Sequence, residues 1–503
     1  MTKKMYMYDV RGIQNYIFRT NKLKEIIGAS EIVSGITEKL FLKIAEELKY
    51  KVELAGKDKD LKFNFKEKNK FDAEIFYNGG GNLLVLFEDD EKAKELNTAM
   101  RIQLVKETYS LQLAIAGVEV NGEDDYKEDY LRLRKAMEKE KLNMPPLSLV
   151  KSFPFTLNDP DTGLPFSQDK DNRKMPYETL QKLNKFNSIS KDKVPNINEM
   201  GSDEGDNKIA IVHIDGNNMG KKVSSKISGV TNYREAAKIL RNFSDSVDKL
   251  FTDTALTSVK NNLERFWKKA GYSDDRPEEK LFREVIHAGD DITFICNDKI
   301  ALQCTRKFIK SIEDANAGKD EIDKFDVCAG IYIMHTHFPF SKGYEMAEQL
   351  CDNAKKRSRN NPGNYIDFHI NYGGILHDLD VIRKKQYVSK GCSGKESITL
   401  IQRPYRVDGT QDELAVLVEQ IKLLNKSNLS RGKVKELREV FYEGKAMVDH
   451  ELKMINSRLD DNDKINLDKD LINMDAYNVL FDAIEIMDLK WGEIDEYECK
   501  KTA

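Results

Sequence analysis

Three aspartates carry the clearest chemistry in this 503-residue chain. Asp215 ends the strand-like run IAIVHID, and Asp290 and Asp291 follow Ala288-Gly289 within VIHAGDDITFIC. Carboxylates brought close together repel one another unless cations lie between them. Hard oxygen donors favour Mg2+ or Mn2+, and two such ions about 3.5–4 Å apart suit in-line attack on a phosphoryl group. One ion would lower the pKa of a ribose 3′-hydroxyl, and the other would neutralise a triphosphate and its departing pyrophosphate. Gly-Asp-Asp alone is also ordinary hairpin-turn chemistry. The strand-end Asp215 is what turns the reading towards a metal site.

The residues after Asp215 extend that reading. Gly216, Asn217, Asn218, Met219 and Gly220 lead into a helical pattern, and exposed amides at a helix start suit a triphosphate. The plain alternative is a helix cap, which Asn also favours. Lys221, Lys222 and Lys355 are candidate phosphate partners, each individually a weak signal because exposed lysines are common. Neither a G-x-x-x-x-G-K-[ST] loop nor a G-x-G-x-x-G turn after a strand is present, so the commonest nucleotide-binding motifs are excluded.

The elements that must position these groups occur twice. MYMYDVRGIQNYIF matches IAIVHIDGNNMGKKV, with Asp9 opposite Asp215; IFYNGGGNLLVLF matches VIHAGDDITFIC, with Gly81 and Asn82 opposite Asp290 and Asp291. LQLAIAGVEV matches FDVCAGIYIM. Asp9 precedes Gly81 by 72 residues and Asp215 precedes Asp290 by 75; Gly117 follows Gly81 by 36 and Gly330 follows Asp290 by 40. Each copy reads strand, helix, hairpin, helix, strand, a ferredoxin-like βαββαβ unit in which the first and third strands are neighbours. The expected fold class is therefore α+β with two ferredoxin-like domains. In the first copy the hairpin is Gly79-Gly80-Gly81-Asn82, without carboxylates, so it cannot build the same metal pair. Its glycines permit close backbone approach. They read either as an acceptor-nucleotide site or as a relic kept for packing.

The length asks for several domains. The spacings place a first ferredoxin-like domain at 1–142, a small irregular insert at 143–206, a second, catalytic one at 207–373, and an α-helical domain at 374–503. The 81 basic and 85 acidic residues leave a net charge of −4, which argues against a wholesale basic coat for nucleic acid. No apolar run reaches the length of a membrane span, and the chain opens directly on a strand-like segment rather than a signal peptide. The six cysteines contain no C-x-x-C pair, so no zinc is expected, and with the rest this predicts a cytoplasmic protein.

Taken together, DVRGIQNYIF, IIGAS, NGGGN, DGNNMG, AGDD, the segment ending in Ala354-Lys355 and LIQRPYRVDG resemble the large polymerase–cyclase subunit of type III CRISPR effector complexes, the Csm and Cmr families. The resemblance implies conversion of ATP, or another NTP, to a cyclic oligo- or dinucleotide messenger in antiviral defence. It further implies Asp215, Asp290 and Asp291 as metal carboxylates with Lys355 near the triphosphate, and RNA or CRISPR-complex subunits as partners. Three departures stand out. The hairpin is AGDD rather than GGDD, and the D-x-D-N after the first strand is Asp215-Gly216-Asn217-Asn218, one carboxylate short. The sequence also opens at the palm pattern, so the HD nuclease of many relatives is not expected, and NDPDTGLPF has the shape of their zinc loop without its cysteines. A non-catalytic scaffold that binds RNA or partner subunits is the alternative; a template-dependent polymerase ranks last, because no long basic channel is visible.

Overall fold

In a computed structural model the described residues are 2–54, 59–79, 81–145, 155–170, 173–189, 197–201, 207–320, 322–373, 377–390, 397–409, 412–426, 429–459, 464–465 and 474–493. They form an α+β protein of two compact units that interleave along the chain. One comprises residues 1–194, 218–251 and 285–292, and the other residues 195–217, 252–284 and 293–503.

The first unit is built on β1 (Lys4–Arg11), β2 (Val52–Glu53), β3 (Ala73–Gly79), β4 (Asn82–Phe87) and β5 (Gln112–Glu119), in the order β2-β3-β4-β1-β5. β1 pairs antiparallel with both β4 and β5, and Asp9 stands opposite Asn82 in that register. Side chains alternate across a strand. Met5 and Met7 join a core with Leu84, Leu86, Ala114 and Ala116, while Tyr6 and Tyr8 on the other face bond Asp90 and Asn97 of the helix Asp90–Thr108 at 2.7 and 2.6 Å.

The Met face is covered by the helices Tyr126–Asn143 and Tyr233–Asp248, whose Tyr126, Leu133, Met137, Tyr233, Ala237 and Leu240 enter the same core. The second helix is fastened by Arg241, buried with its guanidinium bonding the carbonyls of Phe76 at 2.9 Å and Ile75 at 2.6 Å and the buried Glu74 carboxylate at 3.3 Å. Asn232 caps that helix by accepting from the amides of Arg234 and Glu235. A separate ribbon pairs β6 (Phe166–Lys170) with β7 (Arg173–Pro176).

The second sheet contains β8 (Lys208–Gly216), β9 (Phe282–Ala288), β10 (Asp291–Asn297), β11 (Val327–His335) and β12 (Tyr365–Ile370), with the ribbon β13 (Val388–Lys390) and β14 (Ser397–Thr399) apart from it and β15 (Tyr405–Arg406) at its edge. Its order is β15-β12-β11-β8-β10-β9, and β11-β8-β10-β9 is the ferredoxin-like arrangement 4-1-3-2 expected of a βαββαβ unit.

The helix Phe340–Asn360 lies tight against β11. A Cβ at Gly330 would sit 2.1 Å from the Ala347 carbonyl oxygen, so only glycine admits the helix at that distance. The helices Glu413–Lys426, Arg431–Val440, Lys445–Asn456 and Ala476–Ile486 make the C-terminal region. Within it the buried Arg403 is paired with Asp482 and Glu485 of the last helix. Among the described residues no helix is long and apolar enough to cross a membrane.

Candidate active site

Asp215 is the penultimate residue of β8, opposite Cys328 of β11. Its carboxylate is ion-paired with Lys355, which the helix Phe340–Asn360 carries. Burial works against the Lys355 ammonium, but Asp215 more than offsets this and leaves its pKa above the usual lysine value. Two residues before Asp215, the buried His213 bonds Thr293 at 2.9 Å through Nδ1. Burial pulls its pKa down to about 4, so a neutral imidazole backs the carboxylate. Below the ion pair Cys351 donates to the Cys328 carbonyl at 3.2 Å, and burial pushes the Cys328 thiol up to about 11.

Asn217, in the place where the D-x-D-N pattern has its second carboxylate, is buried. Its amide nitrogen donates to Ser358 Oγ at 3.0 Å and to the Gly363 carbonyl at 3.3 Å, and its backbone N–H bonds the Asp326 carbonyl at 2.7 Å. The side chain ties the end of β8 to the helix that carries Lys355.

Gly216 ends β8 in the second unit, and the first unit holds the other predicted residues. Asn218 adopts φ 56° and opens the helix Met219–Ile227 without a side-chain cap. A cavity of ≈ 520 Å³ brings together Asp9, Gly79, Asn82, Met219, Gly220 and Asp290, with Gly289 at the hairpin turn in the left-handed region at φ 67°. A Cβ at Gly220 would meet open space, so the helix start is unobstructed. Asp291 opens β10 beside Asp290.

The glycine turn behaves differently at its two ends. Gly81, at φ 76°, faces open space, whereas a Cβ at Gly79 would lie 2.4 Å from Tyr77 Oη and 2.6 Å from Ser244 Oγ. Gly79 thus makes room for the protein's own hydroxyls on the cavity wall. Gly80 lies outside the described residues.

Sequence reasoning missed Lys141. It is ion-paired with Asp9 and lines the same cavity, from the helix that follows β5. The first copy therefore repeats the Asp215–Lys355 device with Asp9 and Lys141. A signal existed: Lys141 follows Gly117 by 24 residues and Lys355 follows Gly330 by 25. Arg134, two helical turns before Lys141 on the same face, also lines the cavity.

The aspartates supply the hard oxygen donors that Mg2+ or Mn2+ prefers, and their chemistry fits that ion class. Among the described residues no group of three or more His, Cys, Asp or Glu side chains is gathered in a geometry that could hold a metal ion; the Asp215 carboxylate is satisfied by an ammonium instead.

Two findings from known proteins bear on this arrangement. Residues 208–362 match the family model for Cas10/Cmr2, second palm domain. Among curated proteins none matches the chain. Solved structures with the same fold include a Csm1–Csm4 cassette in complex with cA4, 16% identical, covering 97% of this chain and 70% of that one at a TM-score of 0.58. A Csm1–Csm4 cassette in complex with AMPPNP is 15% identical, with 98% and 70% covered and a TM-score of 0.57. The Csm1–Csm4 subcomplex of the type III-A CRISPR-Csm interference complex is 16% identical, with 97% and 70% covered and a TM-score of 0.57. At these identities the likeness is one of fold. The chain is thus an α+β protein whose residues 208–362 are similar to the Cas10/Cmr2 second palm domain, with a helical C-terminal region. More particularly, its fold resembles that of Csm1 from the type III-A CRISPR-Csm interference complex.

Proposed function

We propose that this protein is a nucleotidyltransferase that joins ATP, or another NTP, and closes the product into a cyclic oligo- or dinucleotide for CRISPR-like antiviral defence. The observation that carries the reading is the cavity where the carboxylate-free glycine turn of one repeat meets Asp290 and the open helix start of the other. The Csm1–Csm4 cassettes in complex with cA4 and AMPPNP support it by fold.

In this reading Asp215, Asp290 and Asp291 would hold Mg2+ or Mn2+, which would supply acidification of the attacking 3′-hydroxyl and charge for the departing pyrophosphate. Residues 216–220 and Lys355 take the donor triphosphate, and an acceptor nucleotide lies against the Gly79–Asn82 turn. The acceptor's 3′-oxygen bonds the donor α-phosphorus, the bond to pyrophosphate breaks, and the hydroxyl proton leaves to solvent. In the assembled complex, RNA and other subunits are the expected partners.

Asn217 favours a second reading, a non-catalytic scaffold, because its position lacks the carboxylate and its amide is committed to Ser358 and Gly363. Pyrophosphate release from NTP with Mg2+ or Mn2+ separates the two. The enzyme reading expects release that Asp290→Ala with Asp291→Ala abolishes. Equal release from that variant overturns the metal assignment, and release from neither protein, with co-purified RNA, favours the scaffold.

A further inference from the structure

A second cavity, ≈ 540 Å³, lies within the second unit, where β11 and β12 meet the C-terminal helices. It is remote from Asp215: Tyr332 of its wall is four residues along β11 from Cys328, the cross-strand neighbour of Asp215, a strand distance of about 13 Å.

Its floor is aromatic and nearly all buried. Tyr332 and His369 stack at 5.9 Å and 23°, and Tyr387 meets His369 edge-on at 6.0 Å. Tyr387 donates to Glu485 at 2.7 Å, which fixes its ring. Tyr372 forms an exposed side wall, held by a 2.9 Å bond from its hydroxyl to the Glu485 carbonyl. Burial draws the His369 pKa down to about 4, so its ring is an uncharged hydrogen-bonding group at neutral pH.

The rim is of mixed charge: Lys435 and Arg438 line it from one helix, beside the carboxylates of Glu439, Glu485 and Asp488. Arg431, Lys435 and Arg438 recur at i, i+4 and i+7 along Arg431–Val440 and so share a face. Arg431 and Lys435 are 71% and 72% exposed and share one carboxylate, Asp488, at 3.3 and 3.9 Å. Arg438 reaches inward to Glu485 at 3.5 Å and outward to Glu439 at 3.3 Å. A cavity of this size, with aromatic side chains in its wall and the ion-paired, partly exposed Lys435 and Arg438 at its mouth, can take a planar heterocycle that carries phosphate.

We propose that this cavity is a second, non-catalytic nucleotide site, with a base against Tyr332, Tyr372 and Tyr387 and a phosphate at Lys435 and Arg438. The same chemistry is offered by a free mononucleotide and by the terminal nucleotide of a single-stranded RNA. The site does not depend on the proposed transferase reaction.

The test uses the full chain in EDTA with 8-azido-AMP, photolysed and mapped by mass spectrometry. Adducts on Tyr372 or Tyr387 that unlabelled AMP or a short oligoadenylate RNA suppresses are expected, and whichever competitor acts at lower concentration identifies the source. Lys435→Glu, an exposed change, should weaken that labelling about tenfold, the size of one charge-assisted contact. Tyr372→Ala should do the same, with melting curves to show that both variants fold. Labelling confined to other residues, labelling that neither competitor suppresses, or labelling unchanged in both folded variants overturns the proposal. Loss of NTP turnover with this labelling intact would count against the transferase reading alone.

Discussion

Lys355 and Asn217 define opposite sides of the chemistry around Asp215. Lys355 stays charged because Asp215 outweighs the cost of its burial, and in the proposed reading that charge would meet the triphosphate. Lys355→Ala should lower kcat/KM for NTP about 10- to 100-fold, as expected from one charge-assisted contact of about 1.5–3 kcal/mol. Steady-state pyrophosphate release measures it, and a Lys355→Ala protein with full activity would remove the lysine from the reaction. Asn217 leads to a different expectation. Restoring a carboxylate there with Asn217→Asp removes the N–H donors that satisfy Ser358 and Gly363 and puts a charge in a buried place. The variant should lose about 1–3 kcal/mol of stability in urea and gain no activity. A rise in turnover would show instead that the side chain swings out to bind metal. The sequence could show Asn217 as a missing acid but not as a clasp, because its partners lie about 140 residues further on.

At the scale of elements, two helices set the geometry. The helix Phe340–Asn360 brings Lys355 to Asp215 only because Gly330 lets it touch β11. Gly330→Ala would drive a Cβ into the Ala347 carbonyl. The helix must then move, at a cost of about 1–3 kcal/mol, and transferase activity should fall with stability although no reacting group has changed. Melting and turnover measured on the same preparation check this. The helix Tyr233–Asp248 depends on Arg241, whose loss in Arg241→Ala leaves Glu74 charged and buried. About 3–5 kcal/mol of destabilisation is expected by urea denaturation. A cost below about 1 kcal/mol would mean that Glu74 takes up a proton instead. Much of this level was legible beforehand. Alternating apolar residues gave β1 and β8, and hairpin spacing gave both glycine- and aspartate-bearing turns. What was not legible is that residues 218–251 share a compact unit with the first sheet. Arg241 finds its acceptors about 165 residues earlier, and no local periodicity reports a contact of that range. Lys141 was hidden for a related reason: one lysine in a charged helix has no signature until its spacing is set beside that of Lys355.

For the whole molecule, pH acts on stability through histidines held neutral. His369 is buried beside Arg403, Glu485 and Tyr387, and its pKa near 4 lies below the ordinary 6.5. A depressed histidine contributes stability that is complete above the unfolded-state pKa and is lost as pH falls from about 6.5 towards 4, up to about 3 kcal/mol. Urea melts at pH 7 and pH 5 should show the loss, and His369→Gln should flatten that slope; an unchanged slope would place the pH dependence elsewhere. The near-balanced charge of the chain is what the proposed handling of small nucleotides, with long RNA left to partners, would require. Duplication then explains the rest of the design, with two Asp–Lys pairs retained and hairpin carboxylates in only one copy. The most direct measurement is identification by mass spectrometry of what the protein makes from a mixture of NTPs with Mg2+, with and without added RNA. The account predicts a cyclic product joined by phosphodiester bonds, one pyrophosphate released per bond, with ATP the preferred substrate. Linear chains copied from the RNA, or intact NTPs under every condition, would contradict it.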